Sequence, residues 1–383
     1  MSAPGVHRPA WAEVSRGAIA HNAAALGAVL GSTQLCAVVK ANGYGHGAPL
    51  AAHAALAGGA TSLAVAIVDE GIELRAAGVS APILLLAEIP ADTIPDAFRY
   101  SLTITVGSRA GAQAAARAAR AQAGRHRVHV KLDTGMGRMG VAADELDAVV
   151  DVLAAEEHLD VEGLYTHLSV ADSTDEDDRD FTRRQIARFD EAVAGLVARG
   201  ALPRVLHVAN SAGALGYPTS RRTLARVGLA LYGYLPATHL GRALDGAGGP
   251  LRPAMTLRAR VVASRRLDAG ERPGYGRRRE LTRPATVVTV PVGYADGYAR
   301  RLFEADASVL IRGRRFPLAG VVSMDQLLVD VGDETVGPGE EVVLLGRQGD
   351  ESIDAEEWAR RAGTITWEIL CAIGARVPRV LVD

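Results

Sequence analysis

LCAVVKA, residues 35–41, is the stretch on which the fold reading turns. Its five successive apolar residues form a short strand with no polar face, and such a strand is buried on both sides. Working outward, the pattern returns as SLAVA (62–66), ILLLA (83–87), LTITV (102–106), RVHVKLDT (127–134), VEGLYTHL (161–168), RVLHVANS (204–211) and RVGLALYG (226–233). Between these runs lie segments long enough for helices, among them 108–123, 143–154 and 178–198. Eight buried strands with crossover helices in about 200 residues indicate an α/β fold, a (β/α)8 TIM-like barrel. An open doubly wound sheet is the alternative that periodicity leaves standing. No Gly-rich dinucleotide fingerprint lies between the first strand and the first helix to support it.

After residue 236 the texture changes. THLGRALDGAGGPLRP (238–253) is rich in Gly and Pro and reads as a linker. TLRARVVASRRL, ATVVTVPVGYADG, SVLIRGRRFPLAG, SMDQLLVDVG and EEVVLLGR then give short strands separated by turn signals. They predict a mostly β C-terminal domain, interrupted by one helix near 354–361. The expected division is residues 1–240 for the barrel and 241–383 for the β domain. The acidic run DSTDEDDRD (172–180) reads as a solvated loop leading into a helix with acids near its N-terminus.

Composition narrows the function. The 383 residues are 48% apolar and 22% charged, a globular balance, and the formal net charge is −2 with no cluster of basic and aromatic residues. That speaks against a nucleic-acid surface. No apolar run reaches the roughly 20 residues of a membrane span. The start, MSAPGVHRPAWAEV, lacks the apolar core of a signal peptide. Two cysteines, Cys36 and Cys371, make no disulfide framework. The expectation is a cytoplasmic enzyme. Of the 42 basic residues only Lys40 and Lys131 are lysine. Where arginine has taken nearly every cationic place, a surviving lysine is suspected of work that needs a neutral amine, such as addition to a carbonyl.

Barrel chemistry gathers at the C-terminal ends of the strands. Lys40 ends the first run. Lys131 lies in the fifth and is followed by DTGMGRMG, with Arg138. His167 ends the sixth, Asn210 and Ser211 the seventh, and Arg226 and Gly228 begin the eighth. His207, flanked by apolar residues, reads as a buried structural histidine with a hydrogen-bonded partner. Lys40 suits a Schiff-base lysine. The loops after the last two strands, where barrels often bind phosphate, offer Ser211 and the backbone at Gly228 and Leu229. Lysine plus phosphate cradle points to pyridoxal phosphate. Class I aldolases also use a barrel lysine and stay open at this point. No metal-ligand cluster is expected.

AVVKANGYGHG, KLDTGMGRMG, YTHLSVAD, HVANSAGAL, ARVGLALYG, PGYGRRRE, VGYADGY, SMDQ and TITWEILC follow one another in the order seen in alanine racemases. The chain resembles that family over nearly its whole length. The resemblance implies a barrel carrying pyridoxal 5'-phosphate, a C-terminal β domain, and a head-to-tail homodimer whose active sites are completed by the other subunit's β domain. It implies Lys40 as cofactor lysine and one acid/base, and Tyr275, contributed by the other subunit and paired with His167, as the opposite-face acid/base. Arg226 would face the pyridine nitrogen. Arg138 would contact the phenolic oxygen and the substrate carboxylate, with the Met324 N–H of the other subunit as a second carboxylate contact. Lys131 would be carbamylated to hold Arg138; read from the residues alone, an ion pair with Asp133 or another acid is the alternative. Tyr44, Ser211 and Asn210 would help bind the cofactor, and Tyr294 would line the substrate entrance.

Two positions depart from the family. Trp367 stands where a phosphate-binding tyrosine is usual, and Val321 where an arginine is common. Indole offers one N–H at a different place on a larger ring. These departures leave room for a racemase or epimerase of another small amino acid, such as serine, acting in specialised metabolism. Related decarboxylases with the same two-domain plan use a glutamate at the pyridine nitrogen, which Arg226 opposes. A non-catalytic pyridoxal-phosphate homeostasis protein would be the barrel alone, without the domain that carries Tyr275.

Overall fold

The computed structural model describes residues 7–383. The chain forms two compact units. One comprises Gly17–Gly43 with Ala48–Arg252; the other comprises the stretch ending at Arg16, Tyr44–Gly47 and Pro253–Asp383. The first strand, β1 (Ala10–Ser15), belongs to the second unit. It pairs antiparallel with Met255–Arg260 and parallel with Arg379–Val382. The sequence reading placed no strand before residue 35, and membership of the two units is not contiguous along the chain.

The first unit contains the eight expected strands. They are β2 (Gln34–Val38), β3 (Ser62–Val65), β4 (Ile83–Leu85), β5 (Ile104–Val106), β6 (His126–Lys131), β7 (Leu159–Tyr165), β8 (Val205–His207) and β9 (Leu224–Val227). All pair in parallel, as β4-β3-β2-β9 and β5-β6-β7-β8. Two seams join these sheets into a ring. At one, Leu84 bridges Thr103, with Thr103 N–H donating to Ile83 O (2.8 Å). At the other, Thr223 N–H donates to Leu206 O (3.0 Å) and Arg226 N–H to Ala209 O (3.0 Å). The ring is the (β/α)8 barrel, and the open-sheet alternative is set aside. Two of its three shortest strands, Ile83–Leu85 and Ile104–Val106, are buried at every position, as an apolar run without alternation requires.

The crossover helices carry the expected signals. Ser108 caps Arg109–Arg120 by accepting from Gly111 N–H (2.9 Å), and the small residues Ala112, Ala115, Ala116 and Ala119 form its buried side. The acidic run opens Glu176–Ala198. Asp175 is its N-cap, and Glu176, Asp177 and Asp178 occupy the first turn, where the helix dipole favours negative charge.

In the second unit, seven strands form one sheet and Ala263–Leu267, Ala285–Val290 and Leu327–Gly332 form another. Met255–Arg260 alternates strictly, with Met255, Leu257 and Ala259 buried and the residues between them partly exposed. The expected helix lies at Ala355–Ala362, and a second, Thr366–Ala372, follows it where the sequence reading had none. Among the described residues no helix is long and apolar enough to cross a membrane.

Candidate active site

The parallel ring collects the barrel's reactive side chains at one end. Lys40 lies two residues beyond β2, Lys131 is the last residue of β6, and His167 lies two residues beyond β7. Asn210 and Ser211 follow β8, Arg226 is in β9, and Gly228 and Leu229 come directly after it.

Lys40 is followed by an unusual turn. Ala41, Asn42 and Gly43 are left-handed, with φ from 52° to 61°. For a residue with a Cβ this costs about 1–2 kcal/mol. Local bonds hold the turn: Gly43 N–H donates to Val39 O (2.8 Å) and Ala48 N–H to Asn42 Oδ1 (2.9 Å). Glu70 adds a clamp that the sequence reading missed. Its Oε1 accepts from Ala41 N–H (2.6 Å) and its Oε2 from Ala66 N–H (2.8 Å), tying the Lys40 turn to the end of β3. Sequence marks Glu70 only as an acid in a helix's first turn.

The two lysines share one electrostatic cluster. Lys131 is buried, and its pKa is lowered to about 8 by burial, then by the charges of Arg138, Arg226 and Lys40 against the opposing pull of Asp133. No carboxylate of the described residues forms an ion pair with Lys131. Asp133 is otherwise engaged, accepting from the N–H groups of Gly135 (2.9 Å), Met136 (2.8 Å) and Gly137 (2.8 Å). This loop is pinned at its base by Val141 N–H donating to Lys131 O (2.8 Å), and it carries Arg138 in an exposed position.

Arg226 is buried with a full set of acceptors. It donates to Thr166 O (2.8 Å), His207 O (3.1 Å), His207 Nδ1 (2.9 Å) and, more weakly, His167 Nδ1 (3.3 Å). A guanidinium donates only, so both Nδ1 atoms must be unprotonated. His167 therefore carries its proton on Nε2. Burial, then Arg226, Arg138, Lys131 and Lys40, hold its pKa well below the usual histidine range. His207 is fully buried and hydrogen-bonded, as its sequence surroundings suggested.

Asn210 caps the short helix Ser211–Gly216. Its Oδ1 accepts from Gly213 N–H (2.9 Å) and its Nδ2 donates to Leu168 O (3.1 Å). Both polar ends are engaged, so Asn210 places Ser211. Ser211 Oγ in turn accepts from Gly228 N–H (3.0 Å).

The remaining expected site residues, Tyr44, Tyr275, Tyr294, Met324 and Trp367, belong to the second unit. Tyr44 is buried, which pushes its phenol up. Its neighbour Gly45 lies against the helix that carries Trp367, where a Cβ would come within 2.3 Å of Leu370 O. Tyr275, Met324 and Tyr294 lie on one stitched surface. Tyr275 bridges Val321, while Tyr294 N–H donates to Ser323 O (3.0 Å) and Ala295 N–H to Met324 O (3.0 Å). Gly293 permits that approach, since its Cβ would meet Met324 O and Ser323 O at 2.3 Å. Tyr275 is 72% exposed, Met324 52% and Tyr294 42%, whereas Val321, opposite Tyr275, is buried.

The family model for the alanine racemase N-terminal domain matches residues 14–236, and that for the C-terminal domain matches residues 254–381. The chain belongs to the alanine racemase family. It is 44% identical to the alanine racemase of Symbiobacterium thermophilum, covering 97% of each chain. It superposes on the crystal structure of alanine racemase from E. faecalis with a TM-score of 0.91 at 38% identity, covering 99% of each. A histidine racemase from Leuconostoc mesenteroides subsp. sake is also similar, with a TM-score of 0.89 at 28% identity over 100% of this chain and 99% of that one. The family is pyridoxal-phosphate-dependent, and the barrel's donor set fits that group. Lys40, Lys131, Arg138 and Arg226 act on one another and on His167, and neither Lys131 nor Arg138 forms an ion pair among the described residues. Such a cluster suits an anionic ligand bearing a phosphate and a phenolic oxygen.

Proposed function

We propose that this racemase interconverts L- and D-alanine, with Lys40 and the Tyr275 of a second copy as the two acid/base groups. The observation that carries the reading is the cluster of Lys40, Lys131, Arg138 and Arg226 at the barrel mouth, joined to a family match over both units. When bound, pyridoxal phosphate supplies an electrophilic carbon for the amino group and a sink for the electrons released when the Cα proton leaves. Lys40 would hold it through its amine and Arg226 through the ring nitrogen. Arg138 would meet its phenolic oxygen, and Ser211, the backbone at Gly228 and Leu229, Tyr44 and Trp367 its phosphate.

The remaining chemistry belongs to the chain. Arg226 can donate a hydrogen bond but cannot give up its proton, so it would leave the ring nitrogen unprotonated and the sink weak. A weak sink permits proton exchange at Cα while disfavouring decarboxylation and transamination. Racemisation needs one proton carrier per face: Lys40 Nζ on one, Tyr275 Oη on the other. An ordinary tyrosine has a pKa near 10 and is a poor base at neutrality. His167, neutral and protonated at Nε2, would offer an N–H to the phenolic oxygen and so favour the phenolate. Arg138 and the Met324 N–H of the second copy would orient the substrate carboxylate, and Tyr294 would line the approach.

Lys131 would be carbamylated: its neutral amine attacks carbon dioxide, an N–C bond forms as one C=O π bond opens onto oxygen, and the amine proton leaves to water. The product is an anion amid Arg138, Arg226 and Lys40, which it relieves of mutual repulsion, and it holds Arg138 by charge-assisted hydrogen bonds. The exposed Tyr275, Met324 and Tyr294 support a homodimer in which this surface is covered by the other copy's barrel. The proposed setting is cytoplasmic supply of D-alanine for peptidoglycan.

A second reading, racemisation of another amino acid, is favoured by Trp367 and Val321 and by the structural likeness to a histidine racemase. Racemisation of L-alanine and L-serine, followed side by side by chiral chromatography with added pyridoxal phosphate, separates the readings. Strong preference for alanine supports the first; faster turnover of serine, or inactivity toward both, overturns it.

A further inference from the structure

Behind Arg226 runs a line of buried polar contacts. Arg226 Nη1 donates to His207 Nδ1 (2.9 Å), His207 Nε2 lies 2.8 Å from His129 Nδ1, and His129 Nε2 lies 3.1 Å from Glu162 Oε2. His207 and His129 are fully or almost fully buried, and the His207 ring stacks on Tyr165 at a centroid distance of 4.5 Å. Glu162 lies near the surface, where Arg204 Nη2 donates to its other oxygen (2.8 Å).

The direction of this line is forced from both ends. Arg226 has no acceptor, so His207 Nδ1 must be bare and Nε2 must carry the proton. His207 Nε2–H then donates to His129 Nδ1, which leaves the His129 proton on Nε2. That N–H faces a carboxylate, the acceptor it needs. Every bond points from Arg226 toward Glu162. Protonating either ring a second time would set two donors face to face. In agreement, burial and the charge of Arg226 depress both imidazoles.

We infer that Glu162 is a positioning residue for Arg226, acting through the two neutral imidazoles of His129 and His207. Its negative charge at the far end strengthens each N–H···N bond in turn, makes His207 Nδ1 a better acceptor, and fixes the plane in which Arg226 presents its remaining donor, Nε–H. This deepens the proposed function and rests on Arg226 as the partner of the cofactor's ring nitrogen.

Two measurements on the full-length, cofactor-loaded protein test it. With 15N-labelled histidine, assigned through His129→Gln and His207→Gln, both rings should be protonated at Nε2 and bare at Nδ1. Protonation of His129 at Nδ1, or double protonation of either ring, overturns the relay. With pyridoxal phosphate labelled at its ring nitrogen, Glu162→Gln should move that nitrogen's resonance and lower kcat about tenfold at nearly constant KM, as outer-shell partners commonly do. The side-chain oxygen of Gln still accepts from His129, so the tautomers should stay. Glu156→Gln, an acid outside the relay, should leave the resonance in place. Correct tautomers with no shift in Glu162→Gln mean that the line is purely structural, and the proposal fails. If Arg226→Lys also leaves the ring nitrogen unmoved, the reading of Arg226 itself fails and the inference falls with it. Should Glu162→Gln not fold, Arg204→Ala, which removes the surface donor that Glu162 shares with Asp160 and leaves the relay residues in place, should still move the resonance, and an unmoved resonance there refutes the coupling.

Discussion

Lys131 offers the prediction that can be worked furthest. With its pKa lowered to about 8, roughly one-tenth of the amine is neutral at pH 7, against about one part in 3000 for an ordinary lysine near 10.5. The reactive form is thus enriched about 300-fold over a surface lysine. The sign follows from the direction of the shift. Carbamylation consumes the neutral amine, so occupancy should rise with pH through about 8 and fall as the ammonium forms below it. Protein equilibrated with 13C-bicarbonate should show one carbamate resonance per chain at pH 8, much weaker at pH 6 and absent in Lys131→Ala. Lys131→Ala should also raise KM, since Arg138 loses the anion that holds it, and acetate should recover part of the loss. A resonance that persists in Lys131→Ala, or none in the wild type at pH 8, would refute the reasoning.

Three further outcomes are expected. Glu70→Ala removes the acceptor of three backbone N–H groups, those of Ala41, Ala66 and, more weakly, Ile67, and releases the left-handed turn after Lys40; urea unfolding should show a loss of about 1–3 kcal/mol, together with weaker cofactor retention in equilibrium dialysis. Trp367→Tyr should change the ratio of kcat/KM for alanine and serine without altering unfolding midpoints, because Trp367 is only partly buried. Phe189→Ala, in the helix Glu176–Ala198 and fully buried, should cost about 3–5 kcal/mol by chemical denaturation while leaving KM unchanged in the folded fraction.

The barrel was legible because its strands recur as short, nearly continuous apolar runs separated by helix-length segments, a pattern with few other solutions. The barrel's part of the candidate site was legible for a related reason: its residues lie at or just beyond the ends of those strands, and a parallel ring brings such positions to one end. What escaped the reading depends on partners distant in sequence. Ala10–Ser15 is a strand only because Met255–Arg260 and Arg379–Val382 flank it. Tyr44 stands four residues after Lys40, yet its segment folds with the C-terminal unit, where Arg379 donates to Gly45 O (2.8 Å). Glu70 and Glu162 sit in unremarkable contexts, and their roles come from the backbone N–H and the imidazole they meet. The Lys131–Asp133 pairing was chemically reasonable. It fails because the glycine loop claims both Asp133 oxygens for its own N–H groups.

The central claim is that a working site needs Lys40 from one copy and Tyr275 from another. Lys40→Ala and Tyr275→Phe should each abolish racemisation, the latter while retaining the cofactor's absorbance. Mixed under conditions of proven subunit exchange, the two inactive proteins should regain activity. Random exchange at equal amounts makes half of the dimers mixed, each with one intact site, so about a quarter of the wild-type activity is predicted. No recovery despite demonstrated exchange would contradict the account.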